Sequence, residues 1–248
     1  MTLARPPPVS PMIEAIQKLQ LNKVGALAHC RALAKDPARL TFQGLGPWDH
    51  LNYAARQHLK SSELLEWFPE LVQACQTAGL DLNEEARSSA REQPALITAL
   101  LSMTTPDCGL AADALWNLGA RARQPTQTIA MHAACVLDSD LPLRWMLTHG
   151  FDPNKARSVV DGRGPLHIVA TSPRQFKTHL AALLLEFGCN PRVPNDAGWR
   201  AYDWALLRRS HAPTAEVGQL LFAAAERLDL QDAATFAPRA PAAPAFRI

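Results

Sequence analysis

Apolar positions along this chain fall in short stretches of helical spacing, separated by proline, glycine and polar loops. The first pair of stretches covers 10–35. Ser10-Pro11 reads as a helix start, with serine at the N-cap and proline at the first helical position. MIEAIQKLQ then sets Met12, Ile13, Ile16 and Leu19 on one face. Asn22 reads as the cap of a second helix with apolar positions Val24, Ala28 and Leu33, ended by Asp36-Pro37. The pattern predicts a helical hairpin.

The same order then recurs: short helix, loop, leucine-rich helix, glycine. It is clearest in GPLHIVATSPRQFKTHLAALLLEFGCNP at 164–191, where Gly188 falls where a left-handed residue is needed. IAMHAACVLDSDLPLRWMLTHGFDPN at 129–154 closes on Gly150, and RAYDWALLRRS opens another unit at Arg200. Upstream, HLNYAA at 50–55 closes on Gly79, and PALITAL at 94–100 closes on Gly119. Equivalent positions are 52, 97, 132, 167 and 203, spaced by 45, 35, 35 and 36. The long first spacing predicts an insertion around 61–70. There Trp67, with Leu64, Leu65 and Phe68, forms either a local packed cluster or a partner-binding loop.

These units resemble the ankyrin repeat, a unit of about 33 residues opening T-P-L-H-x-A. The resemblance runs through His132, Ala134, Met146, Leu147, Gly150, Asp152, Pro153 and Asn154, and through Pro165, Leu166, His167, Ala170, Leu184, Leu185, Gly188, Asn190 and Pro191. Ala201, Asp203, Trp204 and Ala205 match a terminal-repeat variant. The opening threonine is replaced by Asp49, Pro94, Ile129, Gly164 and Arg200, so helix starts should be less regular than in a consensus repeat. The resemblance covers about 40–228. It implies an all-α solenoid of about five repeats, with the leucine pairs interior and adjacent hairpins meeting at Ala134, Ala170 and Ala205. The expected organisation is a flexible Pro-rich segment at 1–9, a capping hairpin at 10–40 and repeats over 41–228. These end in a cap helix at 214–228 with Thr214 as its N-cap, and 229–248 is an Ala/Pro-rich disordered tail.

Composition changes this picture little. Residues 1–120 carry 10 basic and 12 acidic side chains, and 121–248 carry 15 and 11. Such a balance lacks the dense basic stripe of a nucleic-acid binder. Five cysteines without CxxC spacing point to a reducing compartment. With no apolar N-terminal run and no long apolar span, the expectation is a cytoplasmic protein off the membrane, and secretion without a cleavable signal is compatible with the same sequence. Nineteen arginines against six lysines, with abundant alanine, point to a GC-rich bacterial genome.

Motifs for nucleotide binding, zinc hydrolysis and serine hydrolysis are absent. The adjacent His29 and Cys30 point about 100° apart on a helix and read as structural. So do Cys135, Cys189, His179 and Asp203. The resemblance implies structural hydrogen bonds for His132 and His167. Trp116 and Trp145 read as core. No catalytic residue, metal or cofactor is expected.

In the resembled family the residue before the missing threonine lies on a hairpin loop facing the concave side and varies with the partner. Here that row is Trp48, Gln93, Thr128, Arg163 and Trp199, with Arg121, Arg123, Lys155, Arg157 and Arg192 nearby. Tryptophan and arginine are the residues interface hot spots favour, and the basic loops match an acidic partner surface. The expected function is non-enzymatic binding of a protein by an otherwise monomeric chain. The alternatives are a secreted bacterial effector targeting a host protein, an immunity protein neutralising a toxin, or an effector bearing an enzyme in residues 1–90.

Overall fold

The computed structural model describes residues 10–21, 23–40, 47–57, 62–83, 94–103, 109–172, 177–207 and 212–236. The segments 1–9 and 237–248, Asn22 and Gln93 lie outside them. All regular structure among the described residues is helical. The chain divides into two compact units, Met1–Ala156 and Arg157–Ile248.

The first unit holds α1 (Pro11–Gln20), α2 (Ala26–Ala34), a 3-10 turn at Pro37–Leu40, α3 (Pro47–Gln57), α4 (Ser62–Thr77), α5 (Ala95–Leu101), α6 (Gly109–Asn117), α7 (Gln124–Val136) and α8 (Leu141–Thr148). Consecutive helices pair as hairpins. First helices pack on first helices in the order α1, α3, α5, α7, and second helices pack in the order α2, α4, α6. The second unit repeats the plan with α9 (Pro165–Thr171), α10 (Lys177–Glu186), α11 (Ala201–Leu207) and α12 (Ala212–Phe236): α9 packs on α11 and α10 on α12.

A seven-residue helix has no stability alone, because nucleation costs more than two turns of hydrogen bonds return. Helix α5 is seven residues long, and Ala95, Leu96, Ile97, Thr98, Ala99 and Leu100 are all buried. Its neighbours α3, α6 and α7 surround it. Helix α9 buries Pro165, Leu166, His167, Val169 and Ala170 in the same way. The hairpins thus hold each other in helical form.

Four second helices end identically. Gly79, Gly119, Gly150 and Gly188 have φ of +93°, +98°, +82° and +76°. The next residue's N–H reaches back to the carbonyls of Cys75, Leu115, Met146 and Leu184 at 2.9, 2.9, 3.1 and 2.9 Å. This is the Schellman closure, which satisfies orphan carbonyls and turns the chain sharply. All four accepting residues are fully buried. In three units a side-chain oxygen then braces the turn two residues on: Asp81 for Asn83 N–H, Asp152 for Asn154 N–H and Asn190 for Arg192 N–H, each at 2.9 Å.

Several expectations shift. The extra length expected around 61–70 is helical: residues 62–70 belong to the 16-residue α4, in which Trp67, Phe68, Leu71 and Val72 are fully buried, as the packed-cluster reading has it, and Pro69 stands inside the helix. The extra spacing is accommodated partly by helix length, since α6 has nine residues. Helix α2 starts after Gly25, whose φ is +78°. Val24 and Ala28 are therefore exposed, and Ala26, Cys30 and Leu33 form the core face. Leu184 is buried as expected, while its neighbour Leu185 is half-exposed. Helix α12 begins at Ala212, putting Thr214 inside its first turn, and continues past Leu228 to Phe236.

Ser10 also departs from its expected role. It makes no N-cap side-chain bond. Its Oγ lies 2.7 Å from Nε2 of His50, and both residues are buried. A bond across 40 residues thus replaces the local cap and pins α1 to α3. Ser10→Ala should cost about 1–3 kcal/mol in urea unfolding by leaving a buried imidazole nitrogen short of a partner. Leu184→Ala should cost about 2–5 kcal/mol through its cavity; an unchanged midpoint for Leu184→Ala would mean that this face of α10 does not pack.

Candidate functional site

In the second unit, two loops follow the pattern of a rigid base and a presented tip. The first, 157–163, is closed by Ser158 N–H to Arg163 O and Gly162 N–H to Ser158 O, both at 2.9 Å, and Ser158 Oγ accepts from Val160 N–H at 3.2 Å. The second, 194–199, is organised by buried Asn195. Its Oδ1 accepts the N–H of Ala197 at 3.1 Å and of Trp199 at 2.9 Å, while its own N–H reaches Trp199 O at 2.8 Å.

The two loops interlock. Asp196 N–H donates to Asp161 O at 3.2 Å, and Arg157 Nη2 donates to Pro194 O at 3.0 Å. Gly162, at φ +67°, leaves the space that Asp196 fills. A Cβ there would sit 2.0 Å from Asp196 Oδ1 and 2.8 Å from its backbone nitrogen. Only glycine supplies both the conformation and the room.

This frame presents Val159 and Val160 at 98% and 89% exposure, with Trp199 at 42%. Two aliphatic side chains held in water by a hydrogen-bonded loop gain nothing for the fold. The valines were missed from sequence, although Asp161-Gly162 is a turn signal that places the preceding residues on a projecting loop.

Beneath the loops, His167 joins them to α9. Its Nδ1 accepts from Gly164 N–H at 3.2 Å. Its Nε2 therefore carries the proton and donates to Trp199 O at 3.0 Å. His132 sets Nε2 against Ala156 O at 3.0 Å. Asp203, at the equivalent position of α11, accepts from Arg200 N–H at 2.8 Å. The local bonding expected of these three positions is present.

The remaining candidate residues do not form one exposed row. Trp48 is the second residue of α3, and Gln93 lies outside the described residues. Thr128 is buried within α7. These two helices start early because Pro47 and Pro125 supply a favourable first turn, drawing the presumed loop position into the helix. By contrast α5, α9 and α11 start where the repeat register predicts.

The basic residues are mostly tied down. Arg121 lies 3.7 Å over the ring of Trp116 and donates to the carbonyls of Trp116 and Ala120, both at 2.7 Å. That half-buried indole packs edge-on against Trp145, which is 7% exposed and donates from Nε1 to Asp113 at 2.7 Å. Arg157 pairs with Asp196 at 3.7 Å, Arg163 with Asp161 at 3.0 Å, and Lys155 with Asp152 at 3.6 Å. Arg192 pairs with Asp229 at 3.1 Å and Asp232 at 2.6 Å. Arg123 is exposed at the N-cap of α7. In the paired loops, then, charge is neutralised internally and the projecting chemistry is apolar.

Burial pushes the thiols of Cys30 and Cys75 up to about 11 and about 12, so both stay protonated at neutral pH. Among the described residues no group of three candidate ligands is arranged to hold a metal ion, and no helix is long and apolar enough to cross a membrane. No family model matches the chain, and a search of curated proteins returns no match.

Burial holds the imidazole of His167 below the ordinary histidine value, with Arg157 and Arg163 acting in the same direction. The unfolded chain therefore takes up a proton that the folded chain resists. Stability from this group is intact above about pH 6.5 and falls as pH drops below it. The melting temperature of wild type should fall more between pH 7.5 and pH 5 than that of His167→Asn, measured by circular dichroism. Equal slopes would remove His167 as a source of acid sensitivity.

Proposed function

We propose that this protein is a non-catalytic protein-binding module of the ankyrin-repeat type, and that the paired loops of its second unit carry the contact. The observation behind this reading is the pair Val159 and Val160, fully solvated on a loop whose backbone is held by its neighbour. A frame of this kind lowers the ordering cost of association, because the loops are set before the partner arrives. Half-exposed Trp199 adds an aromatic surface of the kind that dominates interface energetics.

The repeat reading is supported by the fourfold glycine closure, by the His132 and His167 bonds to loop carbonyls, and by hairpins packed first helix on first helix within each unit. The neutralised loop charges shift the proposed partner chemistry from an acidic patch towards an apolar recess. Burying a valine from water is worth about 1.5 kcal/mol or more, so losing both should weaken binding by about a hundredfold.

The test is affinity capture from lysate of the source cell, comparing wild type with Val159→Glu/Val160→Glu and with Trp199→Ala. The valine variant should melt within a few degrees of wild type, since Val159 and Val160 pack on little; Trp199→Ala also loses the ring contact with Trp204 at 6.3 Å, so its melting curve is recorded to establish that it folds. A stoichiometric protein retained by wild type and lost from both variants is the expected result. A partner captured equally by all three would place binding elsewhere on the chain.

A further inference from the structure

The helix side of the second unit carries a feature that the loops do not use. Between α10 and α12 lies an open groove with a cavity of about 600 Å³. Ala182 and Leu185 of α10 form one wall; Leu220, Ala224, Arg227 and Leu228 of α12 form the other. Helix α12 already buries a stripe of Val217, Leu221 and Ala225 against the unit. The spacing of Leu220, Ala224, Arg227 and Leu228 is i, i+4, i+7, i+8, which defines a second stripe on a different face. Leu185, next to buried Leu184, is left half-exposed beside it.

The charges lining the groove are unequal. Arg192 is occupied by Asp229 and Asp232. Arg227 is exposed, and among the described residues no carboxylate stands within ion-pair distance of it. Glu186 is the remaining charged lining residue. The walls are helices whose backbone groups are bonded internally, and in the turn Gly188–Arg192 that closes the groove the N–H groups of Gly188, Cys189 and Arg192 are bonded to Leu185 O, Leu184 O and Asn190 Oδ1, so an occupant gains little main-chain pairing and is held chiefly by side chains. This disfavours an added strand and favours a helix laid into the groove. From Leu220 to Leu228 the wall rises about 12 Å, or two helical turns.

We propose that this groove docks a short amphipathic helix of a protein partner, with apolar side chains at i, i+4 and i+7 facing the floor and one acidic side chain facing Arg227. This site is independent of the loop contact. The occupant needs only two to three turns, and it can fold on binding.

The experiment uses the full chain, immobilised, and a phage-displayed library of random 16-residue peptides as the probe. Ala223→Trp obstructs the groove from an exposed position of its lining, and Leu185→Lys does so from the opposite wall; melting curves establish that each variant folds. Peptides enriched on wild type should share the apolar spacing with an Asp or Glu, and gain helical circular dichroism when bound. Their affinity should fall at least about tenfold on either groove variant and about threefold on Arg227→Gln, and stay unchanged on Val159→Glu/Val160→Glu. No enrichment, peptides indifferent to both groove variants, or binding without helix formation would overturn the proposal. Enriched peptides lost only from the valine variant would overturn it while leaving the loop reading intact.

Discussion

A helix of seven residues cannot persist in water, and three of the first helices here are that length. Everything else follows from the need to bury them. Helix α5 has buried residues around nearly its whole circumference, so it exists only because α3, α6 and α7 enclose it. Alanine at Ala99, Ala134, Ala170 and Ala205, all fully buried, lets first helices approach closely. The glycine closures serve the same end. A left-handed residue with a bond back to a buried carbonyl turns the chain within two residues, so that each second helix delivers its loop at a repeatable place.

With reversal built into four of the hairpins, the loops are free to differ. In the second unit that freedom is used for a pair of loops joined by Gly162 and Asp196 and anchored from below by His167. Their arginines face carboxylates of the same loops, so the guanidiniums brace the frame and Val159, Val160 and Trp199 are left as its exposed apolar surface. Exposed ion pairs of this kind add little stability, but they cancel the field that the basic composition suggests.

The loop tips and the groove between α10 and α12 offer two different chemistries on one unit. The tips carry protruding apolar side chains. The groove is itself a recess, with apolar walls and a guanidinium open to a partner's carboxylate. On the proposed reading, a module with both would hold a folded surface at the loops and a short helical segment in the groove, without either contact disturbing the stacked helices.

The sequence by itself determined the helical class, the hairpin periodicity and the closing glycines, because these depend on local spacing and on the conformational freedom of single residues. The local bond of Asp203 to Arg200 N–H lies within three residues; the bonds of His132 to Ala156 O and of His167 to Trp199 O span 24 and 32 residues and were legible only through the repeat resemblance. Exposure was another matter. Thr128 became buried because Pro125 started α7 early, Val24 became exposed because Gly25 started α2 late, and Arg121 folded onto Trp116. Ser10 left its cap for His50, forty residues away. The exposed valines and the open groove belong to the same category. Whether a side chain faces water depends on what other segments bring against it, and only the tertiary packing of distant residues decides that.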